Sequence, residues 1–324
     1  MPAVAGVMVL ATVSDRSVVT LVNNEERLVM SPLQHLEDLP NDMSLDSEPF
    51  LCRHKLLGHP ALELENLGRV LLSLPTKQVK CSSGLVRNGE DFENAYRQRS
   101  NGLSLEKTIE SIRTSDSFIM VRSPQVDPSF APLFRELFAD VTALSRRSGI
   151  GDLMDDAMLY LFIASPNSVT PFHIDRNSTF LLQFRGSKQI TVFPQWDTRV
   201  VTDESREAYV ASENTKLPWR DDMESFGRCF EFAPGQALHI PFIAGHHVRN
   251  GSADVSISMS IIFNTARSKK WLGALQFNHG VRKSFGALGL SPNGVGRSLW
   301  MDSVKSVAWR GARKMASVGR LVHR

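Results

Sequence analysis

Two short stretches combine residue types that can hold a metal ion: Thr170-Pro-Phe-His173-Ile-Asp175 and Gly245-His246-His247-Val248-Arg249-Asn250. Side chains at i and i+2 of a strand point the same way, so His173 and Asp175 can project together from one strand. A lone His-x-Asp pair is common by chance; a histidine arriving on a later strand gives it weight. Two imidazoles and one carboxylate on one face of a cation leave positions open for dioxygen and a co-substrate. That donor set suits non-haem Fe(II) oxygenase chemistry. His246 and His247 both offer the third ligand, and alternate residues of a strand face opposite ways, so one of the two reaches the metal. His239, within Ala237-Leu-His-Ile240, reads as a packing histidine.

The elements around these stretches are of two kinds. From Leu159 onward, LYLFIA, TFLLQF, KQITVF, RCFEF, ALHI and VSISMSIIF are short, rich in β-branched and aromatic residues, and separated by turn residues. Such spacing predicts an antiparallel barrel or sandwich. Pro234-Gly-Gln-Ala-Leu-His-Ile-Pro241 reads as turn, strand, turn, delivering His246 to the barrel mouth. Residues 194–228 interrupt the pattern with a polar insertion. Upstream, Phe130, Leu133, Phe134, Leu137, Phe138, Val141 and Leu144 form a helical stripe. The spacing of Leu62, Leu64, Leu67, Val70 and Leu71 predicts helix over 49–74, and Ser104 is an N-cap for the segment after it. Residues 1–48 show no sustained period. The expected organisation is an irregular segment over 1–48 and a catalytic domain over 49–266. That domain has a helical front part (49–150) and a β core (151–266), and a basic, largely helical extension follows over 267–324.

Taken in order, T-P-x-H-x-D (170–175), R-G-x-K (185–188) with ITVFP after it, P-G-x-x-L-x-I-P (234–241) and H-H-V-x-N (246–250) make the chain resemble a known family. It is similar to the JmjC and cupin-like Fe(II)/2-oxoglutarate dioxygenases, above all the asparaginyl-hydroxylase-like branch and its bacterial cupin-like relatives. The resemblance covers residues 159–263. It implies a mainly β fold, a double-stranded β-helix or jelly roll, with helices in front and behind. It implies that His173, Asp175 and His246 are the iron ligands and catalytic centre, the H-x-V-x-N register selecting His246. Lys188 would pair with the distal carboxylate of 2-oxoglutarate, and the Thr170 hydroxyl would help to hold it, since a buried carboxylate needs a countercharge and hydrogen bonds. The implied reaction couples decarboxylation of 2-oxoglutarate to oxidation of a C–H bond by dioxygen, on a protein side chain or a small molecule. Two positions depart from the branch: Thr179, where it often has Asn, and Ala244-Gly245, where it favours Trp before the histidine. Both bear on the pocket, so substrate choice does not carry over. Phe172, Arg176, Tyr160 and the 197–228 insertion are candidate pocket or lid elements. A cupin-like protein that binds metal for sensing, without turnover, is the alternative reading.

Composition sets the remaining bounds. With 42% hydrophobic and 22% charged residues the chain is a globular protein, and no apolar run reaches the roughly 18 residues of a membrane span. Three cysteines without a CxxC pair exclude a zinc finger and point to a reducing compartment, so the expected location is the cytoplasm. The N-terminus lacks a basic n-region and reads as a weakly ordered end, not a signal peptide. The sequons at Asn177 and Asn250 read as accidental, both crowding the expected site. The net charge of +3 hides an asymmetry: the stretch 267–324 holds 12 Lys/Arg against one acid, Asp302, leaving −8 on the stretch 1–266. Near the C-terminus Trp300, Val304, Val307, Met315, Val318 and Val322 fall at helical spacing, predicting an amphipathic helix that packs on its own domain or mediates a homodimer. No helix-turn-helix or RNA-binding signature accompanies the charge, so nucleic acid is not an expected partner.

Overall fold

Alternation along the strands decides what this molecule buries. The computed structural model describes residues 33–83, 86–94, 100–153, 156–289 and 291–322, so the expectation for the extreme N-terminus lies outside them. Strands β1 (Leu36–Glu37) and β2 (Phe50–His54) precede helix α1 (Leu64–Ser73), strand β3 (Val79–Ser83), helix α2 (Leu105–Ser111), strand β4 (Ser117–Arg122) and helix α3 (Ala131–Arg147). Eight core strands follow: β5 (Met158–Ala164), β6 (Val169–His173), β7 (Ser178–Arg185), β8 (Lys188–Val192), β9 (Arg228–Phe232), β10 (Gln236–Ile240), β11 (His246–Asn250) and β12 (Ser256–Phe263). They form two antiparallel sheets, ordered β1-β2-β10-β7-β12-β5-β4-β3 and β6-β11-β8-β9. Apart from the β8–β9 pair, successive core strands alternate between the sheets, which is the winding of a double-stranded β-helix. The fold is therefore antiparallel, as the strand pattern predicts, and it is the jelly roll that the resemblance implies.

The larger sheet has two different faces. Leu159, Leu161, Phe180, Leu182, Met259 and Ile261 pack outward against Leu133, Leu137, Val141 and Leu144 of α3. Each such buried side chain stabilises by about 1.5–3 kcal/mol. Their alternate neighbours Tyr160, Phe162, Thr179, Leu181, Ser258 and Ser260 line a cavity between the sheets. The S-x-S alternation in β12 is thus the signature of a strand with core on one side and a polar chamber on the other. Ser104 caps α2 as predicted, accepting a hydrogen bond from the Lys107 amide.

One expectation is corrected and another is narrowed to one of its two branches. The helix predicted over 49–74 is reduced to a 3-10 turn at Pro60–Leu62 and α1, because Phe50, Cys52 and His54 are buried at period two and form β2 alongside β10; Gly58, at positive φ, turns the chain between them. The C-terminal extension is helical, with α5 (Ala266–Phe285) and α6 (Leu299–Val322), but its apolar stripe does not pack on the domain. Trp300, Val307 and Met315 are 71%, 58% and 72% exposed, while buried Asp302, Lys305 and Ser306 face α5. Small residues explain the inversion. A Cβ on Gly273 of α5 would lie 2.4 Å from the Ser306 hydroxyl, so the helices meet backbone to backbone along that side. Val318 and Val322 lie where side chains are not described. The charge asymmetry also resolves locally: Arg267, Lys269, Arg282, Lys283 and Arg297 pair with Asp46, Asp156, Glu207, Glu213 and Asp203 of the acidic body. Among the described residues no helix is long and apolar enough to cross a membrane.

Candidate metal centre and its cavity

Strands β6 and β11 pair antiparallel with His173 directly opposite His246, so the two imidazoles stand side by side, ring centroids 4.1 Å apart. Asp175, two residues past His173, turns its carboxylate between them, 4.0 Å from His173 Nε2 and 3.7 Å from His246 Nε2. Donor atoms of all three lie within 4.8 Å of one another, the one such trio among the described residues. Each ring is oriented through its other nitrogen. His173 Nδ1 lies 2.8 Å from the Pro171 carbonyl and His246 Nδ1 lies 3.0 Å from the Ala244 carbonyl. A carbonyl can only accept, so Nδ1 carries the proton in both rings and the Nε2 lone pairs face the gap, the tautomer a metal requires. Burial, with His246 adding to it, holds His173 well below the ordinary histidine value, keeping it neutral. Burial also pushes the Asp175 carboxyl up, although its side chain stays 38% exposed because it faces the cavity. A cation would relieve that penalty.

His247 points the other way. Its Nε2 lies 2.9 Å from Glu224 Oε2 and its ring packs on Trp219, outside the cavity. His239 is fully buried between the Thr179 and Leu45 carbonyls, and a neutral ring donates to one of them at a time.

The cavity, about 490 Å³, also contains Lys188 and Thr170. Lys188 opens β8 directly opposite Asn250 of β11 and donates to Asn250 Oδ1 at 2.7 Å. Asn250 is fixed in turn: its Nδ2 donates to the Ser168 hydroxyl at 2.8 Å and the Ser168 carbonyl at 3.1 Å. Among the described residues no carboxylate lies within ion-pair distance of Lys188, and burial pulls its ammonium down to about 7. A buried ammonium without a countercharge is costly to keep ionised. Thr170 reaches the same chamber through an irregularity. The four residues of β6 from Thr170 to His173 lie opposite the three of β11 from Val248 to His246, a bulge at Pro171-Phe172, where Pro171 has no N–H to lose. Strict alternation would send Thr170 to the opposite face from His173.

Of the candidate pocket elements, Tyr160 and Arg176 line the cavity. Phe172 does not: its ring packs edge-on against Phe193 and beside Trp219, and a Cβ on Gly245 would meet it at 2.7 Å. From the 197–228 insertion only Tyr209 reaches the chamber; the remainder, including helix α4 (Asp203–Val210), builds a second apolar cluster with Trp271 and Leu275 of α5. Phe92 and Glu93 lie outside the sequence reading, and Asn250 closes its H-x-V-x-N motif without a role assigned there. Asn250 lies four residues past His246 on the same strand face, a detectable signal. Phe92 stacks on the His173 ring at 3.9 Å, and Glu93 pairs with Arg176. Both come from a stretch without periodicity, pinned by Asn88 Oδ1, which accepts from the Phe172 amide at 2.9 Å.

No protein-family model and no curated protein matches the chain. Among solved structures it is similar to YcfD, a ribosomal oxygenase from Escherichia coli. The YcfD complex with cobalt and 2-oxoglutarate aligns with a TM-score of 0.41 at 14% identity, over 78% of this chain and 56% of that one. Another YcfD crystal structure gives 0.42 at 12% identity, over 81% and 62%. The chain thus spans less than two thirds of the length of that oxygenase.

Proposed function

We propose that this protein is an Fe(II)- and 2-oxoglutarate-dependent oxygenase that hydroxylates a protein side chain or a small molecule. The observation that carries the reading is the trio His173, Asp175 and His246, both histidines locked with Nε2 toward the gap, in one chamber with the unpaired ammonium of Lys188. The trio would hold Fe(II), and Lys188 and the Thr170 hydroxyl would bind the distal carboxylate of 2-oxoglutarate. When bound, the metal and keto acid supply the oxidising power drawn from dioxygen. The chain's own part is positional. Pro171 and Ala244 fix the imidazole tautomers, Asn250 aims Lys188, and Phe92 covers the His173 ring against bulk water. The test is an anaerobic titration with Fe(II), then 2-oxoglutarate, watched for the visible charge-transfer absorption of the chelated keto acid. Its appearance is expected. Metal binding without it would favour the metal-binding sensory protein, and no metal binding would end both readings.

The chain is further proposed to act in the cytoplasm as a homodimer. The exposed stripe of α6 runs from Leu299 to Met315, about 24 Å at 1.5 Å per residue, and a two-fold axis lets one such stripe cover its copy. Light scattering is expected to give twice the 36.1 kDa chain mass, and Trp300→Asp with Val307→Asp to give the monomer. A monomeric parent would remove the proposal.

A further inference from the structure

The larger sheet does not stop at the jelly roll. Directly opposed residues share a face, so the cavity wall can be followed strand by strand. One row runs Ser258, Phe162, Met120, Lys80 across β12, β5, β4 and β3; the next runs Ser260, Tyr160, Arg122. The wall therefore changes from hydroxyls on β12, to an aromatic stretch on β5, to cations on β4 and β3, where Lys77 joins. Tyr160 and Phe162 present nearly parallel rings, 6.1 Å apart at 8°, and both are half-buried. Lys77, Lys80 and Arg122 are exposed. Among the described residues none has a carboxylate within ion-pair distance, whereas Arg176, the other arginine of the cavity, is paired with Glu93.

An unpaired trio of cations at one end of a cavity, in a body that sums to −8 over 1–266, concentrates positive potential where a ligand would enter. It is separate from Lys188, which sits buried on β8 of the smaller sheet. We propose that the substrate carries a carboxylate or phosphate held by Lys80 and Arg122, with Lys77 at the edge, on an aromatic or aliphatic body that lies along Tyr160 and Phe162. The cations stand on β3 and β4 of the larger sheet and His173 and His246 on β6 and β11 of the smaller one, so the body must cross the cavity to present a C–H bond near His173, Asp175 and His246. The assignment deepens the oxygenase reading and depends on it for the reaction, but the anion site itself does not need the metal.

The experiment uses three probes of one shape, 2-naphthoate, 2-naphthyl phosphate and 2-naphthylmethylammonium, titrated calorimetrically into the full chain with and without Mn(II) and 2-oxoglutarate. The anions are expected to bind at least tenfold tighter than the cation in both states, and the tighter of the two anions identifies the group. Lys80→Ala with Arg122→Ala, both exposed and so compatible with folding, should erase the preference. The double variant should leave the 2-oxoglutarate affinity within twofold, while Arg122→Lys should retain most of the preference. Equal binding of the three probes, binding of none, or a preference untouched by the double variant would overturn the proposal. So would an equal loss of 2-oxoglutarate affinity, which would make the cations a steering patch for the keto acid. Failure of the oxygenase reading would show separately, as a missing charge-transfer band with the anion preference intact.

Discussion

Asp175→Ala is expected to weaken metal binding at least about 100-fold and to abolish metal-dependent turnover, while His247→Ala leaves both within about twofold. Loss of an outer partner of a metal ligand already costs about 10–100-fold in affinity, and Asp175 is the one anionic donor of the trio. The pair of variants also decides between the adjacent histidines, since His247 is engaged by Glu224 on the opposite face of β11. A second consequence separates this from simple damage. Burial raises the Asp175 carboxyl above its ordinary value of 3.8. Its ionised form therefore costs the folded state stability above that raised value, a cost that disappears as pH falls below the unfolded value. At neutral pH the metal-free variant should melt no lower than the parent, yet gain nothing from added Mn(II), because a ligand stabilises only the fold it binds. Thermal melts with and without metal check both halves. Loss of the metal response in His247→Ala, with Asp175→Ala responding normally, would show that the wrong residues have been chosen.

The pairing of His173 with Asp175 was legible in the i, i+2 spacing, although β6 ends at His173 and Asp175 lies two residues beyond it. The family resemblance likewise put Lys188 and Thr170 in one chamber, though the bulge at Pro171-Phe172 that brings Thr170 there leaves no trace in periodicity. Phe92 was out of reach: it meets His173 from a distant part of the chain, and nothing local marks it. The helix predicted over 49–74 failed at Phe50–His54 for a tertiary reason. An apolar segment short enough to be either element becomes a strand when an open edge, here β10, is available to pair with it. For the α6 stripe the structure removes one of the two expected covers, its own domain. Its amphipathic pattern is real, but Gly273 lets the small, polar side of the helix approach α5 more closely than the stripe could. Pattern reveals that a face is apolar and not what will cover it.

The affinity for 2-oxoglutarate is expected to fall about tenfold per pH unit above pH 7, and Lys188→Met is expected to bind it about 100-fold more weakly without that slope. On the proposed assignment the distal carboxylate would pair with the ammonium form of Lys188, which burial holds down at about 7. Above this value binding must first put a proton on the amine, so close to one proton per site should be taken up at pH 8. Below pH 7 the ammonium is already formed and the slope should vanish. Charged hydrogen bonds contribute about 1.5–3 kcal/mol, and about 1.4 kcal/mol is tenfold in affinity, which sets the expected loss in Lys188→Met. The sign for the empty protein is the reverse of a stabilising ion pair. A lysine whose folded value is lowered burdens the fold fully below pH 7, and the burden lifts as pH rises toward the unfolded 10.5. Calorimetry in buffers of differing ionisation enthalpy measures the proton uptake directly. A slope that persists in Lys188→Met would assign the titration to another group and take Lys188 out of the carboxylate site. A flat profile in the parent would mean that Asn250, fixed by Ser168, already stabilises the charge without an anion.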